Sequence, residues 1–145
     1  MKKKVLVTAL LCVSLALFGC GKSETAKARD ELNKVVDFTF YDNVRNDTTG
    51  KWKRATCATS EDIIPYIDDY YAAYFESDDE LHAIQNFSTN TTSAIRVEGD
   101  DLWVEVHERV EGEELDAGKL FSGDLIKTYI IDKTSGEIKD EFNAK

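Results

Sequence analysis

Two histidines and three cysteines are the residues on which nucleophilic or soft-metal chemistry would have to rest in this chain of 145 residues. Cys57 with His82 or His107 as its base would make a thiol hydrolase or a modulator of one, because a thiolate needs a neighbouring imidazole and a carboxylate to orient it. Cys57, however, lies in the Thr/Ala-rich stretch Ala55-Thr56-Cys57-Ala58-Thr59 and not at a helix start, where its pKa would fall. The expectation is a buried structural thiol. His82 and His107 with Glu80, Glu105 or Glu108 contain donors that zinc accepts, yet no His-x-x-x-His or Glu-x-x-His spacing sets two of them on one helix face. Both histidines are expected on solvated strand faces. Asp78-Asp79-Glu80, Asp100-Asp101 and Glu111, Glu113, Glu114 and Asp116 offer hard oxygens without the Asp-x-Asp-x-Asp-Gly frame of an EF-hand, and read as solvated turns. The sequence holds no Gly-x-Ser-x-Gly, phosphate-cradling glycine loop or dinucleotide fingerprint. No catalytic residue, metal ligand or cofactor site is therefore assigned.

The elements that would position these residues follow from periodicity. Val36, Phe38 and Phe40 alternate with Asp37, Thr39 and Tyr41, and Trp52 and Thr56 alternate with Lys51, Lys53 and Cys57, which predicts two strands. Asn46-Asp47-Thr48-Thr49-Gly50 between them is dense in turn formers, so the pair closes as a hairpin. Ile63, Ile67, Tyr70, Tyr71, Tyr74 and Phe75 recur at three and four, predicting an amphipathic helix over 62–75 with Asp62 as N-cap and Pro65 in its first turn. The aromatic face of that helix, Tyr66 included, is expected to be core, with room for a pocket between helix and sheet. Residues 81–87 and 91–97 read as two strands or one long bent one, and Leu102, Val104 and Val106 against Trp103, Glu105 and His107 form the clearest strand. A strand over 125–131 and a turn at 132–136, with 137–139 pairing back, complete the pattern.

The summed expectation is an α+β domain, one amphipathic helix packed on a curved antiparallel sheet. That outline is similar to cystatin-like, NTF2-like and PepSY-like folds. Tyr129-Ile130-Ile131-Asp132-Lys133-Thr134-Ser135-Gly136-Glu137-Ile138 resembles the closing hairpin of PepSY domains, with Ser135 inserted before the glycine. Asn46-Asp47-Thr48-Thr49-Gly50-Lys51-Trp52-Lys53, the run from Tyr74 to Ile84, Val106-His107-Glu108 and Leu120-Phe121-Ser122-Gly123 resemble exported proteins of Gram-positive bacteria, a family that implies location and no chemistry.

The N-terminus carries the one motif with an assignable reaction. Lys2, Lys3 and Lys4 precede an apolar run from Val5 to Phe18, the layout of a secretory signal. As a helix that run covers about 21 Å of a hydrocarbon core that needs about 30 Å, too little to span it. Leu17-Phe18-Gly19-Cys20 resembles the lipobox of bacterial lipoproteins, with Leu17 at −3, Gly19 at −1 and Cys20 at +1. The resemblance implies diacylglycerol on the Cys20 thiol, cleavage before Cys20, and a protein anchored to the cell membrane on its extracytoplasmic face. The expected organisation is a signal peptide at 1–19, a lipidated N-terminus and polar tether at 20–34, and one domain at 35–145.

Cleavage would also sharpen the charge. The whole chain has 18 Lys and Arg against 28 Asp and Glu, and losing three lysines leaves 15 against 28, a net −13. Such a surface repels nucleic acid and anionic lipid headgroups and admits a protein or peptide partner. With Cys12 removed and Cys20 acylated, Cys57 has no disulfide partner within the chain. The functional expectation is a membrane-anchored, non-enzymatic binding or interaction module, with the small hydrolase or protease modulator as the alternative.

Overall fold

Much of the segment expected to be a mobile or partly helical tether is helical and packs on the domain. In the computed structural model, which describes residues 23–144, helix α1 runs Glu24–Val35. The expected signal peptide and Cys20 lipidation site lie outside the described residues. Ser23 caps α1 by accepting from the Ala26 N–H at 3.2 Å, and Glu24 and Lys34 suit the two ends of its dipole. Leu32 is buried and Ala28 packs against the core, and polar contacts share the docking. Arg29 donates to the Ala73 carbonyl at 3.1 Å with its guanidinium 4.7 Å over the Tyr74 ring, and the Tyr74 hydroxyl donates to Asn33 Oδ1 at 2.7 Å. A helix held this way leaves little apolar periodicity to read.

Those contacts attach α1 to helix α2 (Ile67–Tyr74), which is shorter than the 62–75 expected. Pro65 lies in a 3-10 turn over Ile64–Tyr66 that leads into it. Asp62 is not the cap: its side chain accepts from the adjacent Ile63 N–H at 2.7 Å. Ile67, Tyr70, Ala73 and Tyr74 are buried, so the predicted apolar face holds.

Seven strands follow chain order across one sheet: β1 (Phe38–Tyr41), β2 (Trp52–Cys57), β3 (Leu81–Asn86), β4 (Thr91–Glu98), β5 (Asp101–Glu108), β6 (Leu125–Asp132) and β7 (Ile138–Asn143). Every neighbouring pair is antiparallel except β2 with β3, which α2 joins as a parallel crossover. The fold is α+β, as expected, with a second helix beside the first.

One face of the sheet meets the helices through Ala55, Cys57, Ile84, Ile95, Leu102, Val104, Val106 and Ile131. In β2 this reverses the expectation, since Trp52 and Thr56 lie on the opposite face. That second face is not bare. The segment 110–124 crosses it, with short 3-10 turns at Glu113–Leu115 and Ala117–Lys119, and Phe121 packs 5.0 Å from Trp52 and 5.5 Å from His107. Five of the six residues of β3 are buried because both its faces are covered. The residues 81–97 are two strands joined by a turn at 87–90, not one long bent strand, and Ala83 faces segment 110–124 while Ile95 faces the helices.

The closing hairpin turns where expected. Asp132 Oδ1 accepts from the amides of Thr134 at 3.0 Å and Ser135 at 2.9 Å, and Gly136 takes φ +72°, where a Cβ would be strained.

Candidate functional site

The helix-side core contains a polar relay. His82 is fully buried on β3, with the Phe75 ring stacked on it at 3.8 Å and Tyr70 edge-on at 5.6 Å. Its Nε2 is 3.0 Å from Glu80 Oε2 and its Nδ1 is 2.9 Å from the Tyr70 hydroxyl. A carboxylate only accepts, so Nε2 carries the proton and Nδ1 accepts from Tyr70. Burial holds the ring's pKa down to about 4 against the upward pull of Glu80, which keeps it neutral at pH 7. Burial alone would raise the Glu80 carboxyl, but Lys53, the Glu76 N–H and His82 hold it down to about 2. Lys53 Nζ pairs with Glu80 and lies 3.5 Å from Glu76.

Both rings of that relay are sealed from solvent, so it joins α2 to β2 and β3 and reaches no substrate. The expectation of two solvated histidines is thus overturned for His82, because the aromatic side chains of β1 and α2 close over it. His107 is half-buried on the second face of β5, its Nδ1–H donating to the Gly123 carbonyl at 3.2 Å. β4 separates the two histidines, and they occupy opposite faces of the sheet.

Cys57 is buried among the helix-facing side chains, and burial pushes its thiol up to about 12, too high for a nucleophile at neutral pH. The thiol and the two imidazoles are therefore not assembled into a catalytic pair. The aromatic set fills its own space: Tyr70 and Tyr74 sit 4.9 Å apart, and Phe40 stacks on Tyr74 at 5.1 Å, where the sequence allowed a pocket.

Each acidic run also behaves differently from a uniformly solvated turn. Glu80 turns inward from Asp78-Asp79-Glu80, while Asp78 accepts from the Tyr71 hydroxyl and pairs with Lys133. Asp101 pairs with Lys139 and Asp116 caps the Gly118 amide. Glu113 is fully buried on the second face, its Oε2 accepting from Thr92 Oγ1 at 2.5 Å and Gln85 Nε2 at 3.3 Å, its Oε1 from the Val110 N–H at 2.8 Å. It latches segment 110–124 to β3 and β4. Glu113→Ala leaves two buried donors, on Thr92 and Gln85, and the part-buried Val110 N–H without an acceptor and should cost about 3 kcal/mol. Urea unfolding with a midpoint unchanged from wild type would remove Glu113 as the latch.

The latch shapes an open groove of about 980 Å3 between the β1–β2 loop and the Glu113–Leu115 turn. Loop and segment are tied by the Ala117 N–H donating to the Arg45 carbonyl at 3.0 Å. Asp47 organises the loop from within, accepting from the amides of Thr49 and Trp52, both at 2.9 Å. On the groove wall, Arg54 stacks 4.0 Å over the Tyr41 ring and donates Nη1 to the Glu114 carbonyl at 2.6 Å. The sequence placed Tyr41 in a strand and Glu114 in an acidic loop and did not single out Arg54; the turn formers between β1 and β2 gave no sign of a wall built 60 residues away.

Among the described residues no group of three or more His, Cys, Asp or Glu side chains could hold a metal ion. No described helix is long and apolar enough to cross a membrane. Comparison with protein-family models, curated proteins and solved structures finds no match for the chain.

Proposed function

We propose that this chain is a lipoprotein anchored through Cys20 to the extracytoplasmic face of the cell membrane, and that its α+β domain is a non-enzymatic module binding a protein or peptide. The observation that carries the module is the groove: a concave wall with Tyr41, Arg54 and Leu115, residue types of which Tyr and Arg dominate binding hot spots. The buried, high-pKa thiol of Cys57 supports this reading over the hydrolase. We read the helices packed on a mostly antiparallel sheet as a variant of the cystatin-like, NTF2-like or PepSY-like outline, a reading supported by the α+β layering.

With α1 beginning at Glu24, three residues separate the lipidated cysteine from the first helix, and the four steps from Cys20 to Glu24 span at most about 14 Å of extended chain. The module would stand close to its membrane, and its acidic surface would keep it from lying flat on anionic lipid. Expression of the full chain in a bacterium, with radiolabelled palmitate and detergent phase partition, tests the anchor. Wild type should be labelled and enter the detergent phase; Cys20→Ser should be unlabelled and retain its signal peptide. Processing and partition identical in the two proteins would overturn it.

A further inference from the structure

We infer that the groove takes an extended peptide segment, which continues the sheet at the β1 edge through main-chain hydrogen bonds. The inference rests on the binding-module reading and gives that module its ligand class. β1 is first in the sheet order, so among the described residues one side of it is unpaired. The Ala58 N–H donates to the Asp37 carbonyl at 3.2 Å, which sets Asp37, Thr39 and Tyr41 with their main-chain groups toward β2. Antiparallel alternation then points the N–H and C=O groups of Phe38 and Phe40 outward. Such an edge matches the donor and acceptor pattern of another extended chain.

The groove begins where this edge ends. Phe40 and Tyr41 belong to both, and Glu114 and Leu115 form the facing wall. Among the described residues, two buried atoms on lining side chains lack a hydrogen-bond partner, the Arg54 Nε, a donor, and the Glu114 Oε2, an acceptor, and a peptide amide carries the complementary group for each. Tyr41, 38% exposed, and Leu115, 55% exposed, offer apolar contact on either side. The volume stands at the upper end of the roughly 300–1,000 Å3 of small-molecule sites, and the groove is open, as a chain segment requires.

The other edge is built against the same event. β7 pairs with β6 through an irregular register at Ile130/Ile131 and carries Lys139, Asp140 and Glu141 along its middle, features that blunt strand addition. β1 has neither a bulge nor a charged residue within Phe38–Tyr41.

Random linear dodecapeptides displayed on phage, selected against the full chain in detergent, supply the probe; the convergent peptide is then made with a fluorescein label. Binding is read by anisotropy and by amide hydrogen exchange. Bound peptide should slow exchange at Phe38 and Phe40, and Leu115→Asp, a change at an exposed position, should weaken binding about tenfold with an unaltered melting temperature. A peptide that binds Leu115→Asp as well as wild type, or that protects Lys139 and Glu141 and leaves Phe38 and Phe40 unchanged, overturns the β1 groove and leaves the binding module standing. A selection without a convergent sequence overturns the peptide class. The module is then judged separately, by photo-crosslinking from position 115 to a folded envelope protein.

Discussion

Gly123→Ala is expected to destabilise the protein by about 3 kcal/mol, because a Cβ at that position would stand 1.9 Å from the Glu108 carbonyl oxygen and 2.8 Å from its carbon. The neighbour is backbone and cannot rotate aside. Two hydrogen bonds pin the approach, from the Glu108 N–H to the Asp124 carbonyl at 2.8 Å and from His107 Nδ1 to the Gly123 carbonyl at 3.2 Å. Relief requires segment 110–124 to lift from the second face, which frees Phe121 from Trp52 and unseats Glu113. Gly118→Ala is the control: its Cβ would meet only the Asp116 carboxyl oxygen at 3.3 Å, and the change should stay below about 0.5 kcal/mol. Urea unfolding followed by circular dichroism compares the two. Equal midpoints for Gly123→Ala and wild type would show that the close approach is not a constraint on the fold.

Acid should act first through His82. Its pKa is about 4 in the folded protein and about 6.5 when unfolded, so between these values the unfolded chain binds more protons. The stability due to its burial as a neutral ring is complete above pH 6.5, fades on acidification and is gone once the pH falls through 4. The difference amounts to roughly 3 kcal/mol. Glu80, held down to about 2, adds a second loss that begins near pH 4.5 and ends near 2. In His82→Leu the upper phase should vanish, although the variant is weaker at pH 7 because Tyr70 and Glu80 lose a buried partner. Unfolding free energies measured from pH 7 to 3.5 decide this. A wild-type curve flat between 6.5 and 4.5, or a His82 ring that titrates near 6.5 by NMR, would contradict a buried neutral imidazole.

Legibility in the sequence varied with how many partners an element has. β5 was readable because Leu102, Val104 and Val106 all face the helices while the opposite parity is polar or half-buried. β2 was readable as a strand but not in its orientation, since Ala55 and Cys57 are small and Trp52 finds its apolar neighbour in Phe121, 69 residues later. α1 was hidden because Arg29 and Asn33 share the docking that apolar residues usually do alone. His82 and Glu80 stand two apart and could have been set on one face of an extended chain. Their burial depended on Phe40, Tyr70 and Phe75 converging from other elements. The groove was illegible for the same reason, as each of its walls is an ordinary turn until the Glu113 latch brings them together.

Strand neighbours in the sheet are also neighbours in the chain, but only β3–β4, β4–β5 and β6–β7 close over tight turns, whereas β6 reaches β5 across the whole segment 109–124. Hairpin formation is a local event, and low sequence separation between contacts favours rapid folding. The single parallel pairing, β2 with β3, cannot close until the chain between Cys57 and Leu81 has been organised around α2. The β3–β4–β5 meander can therefore form first, and the crossover that brings β2 and β1 onto β3 is the later step.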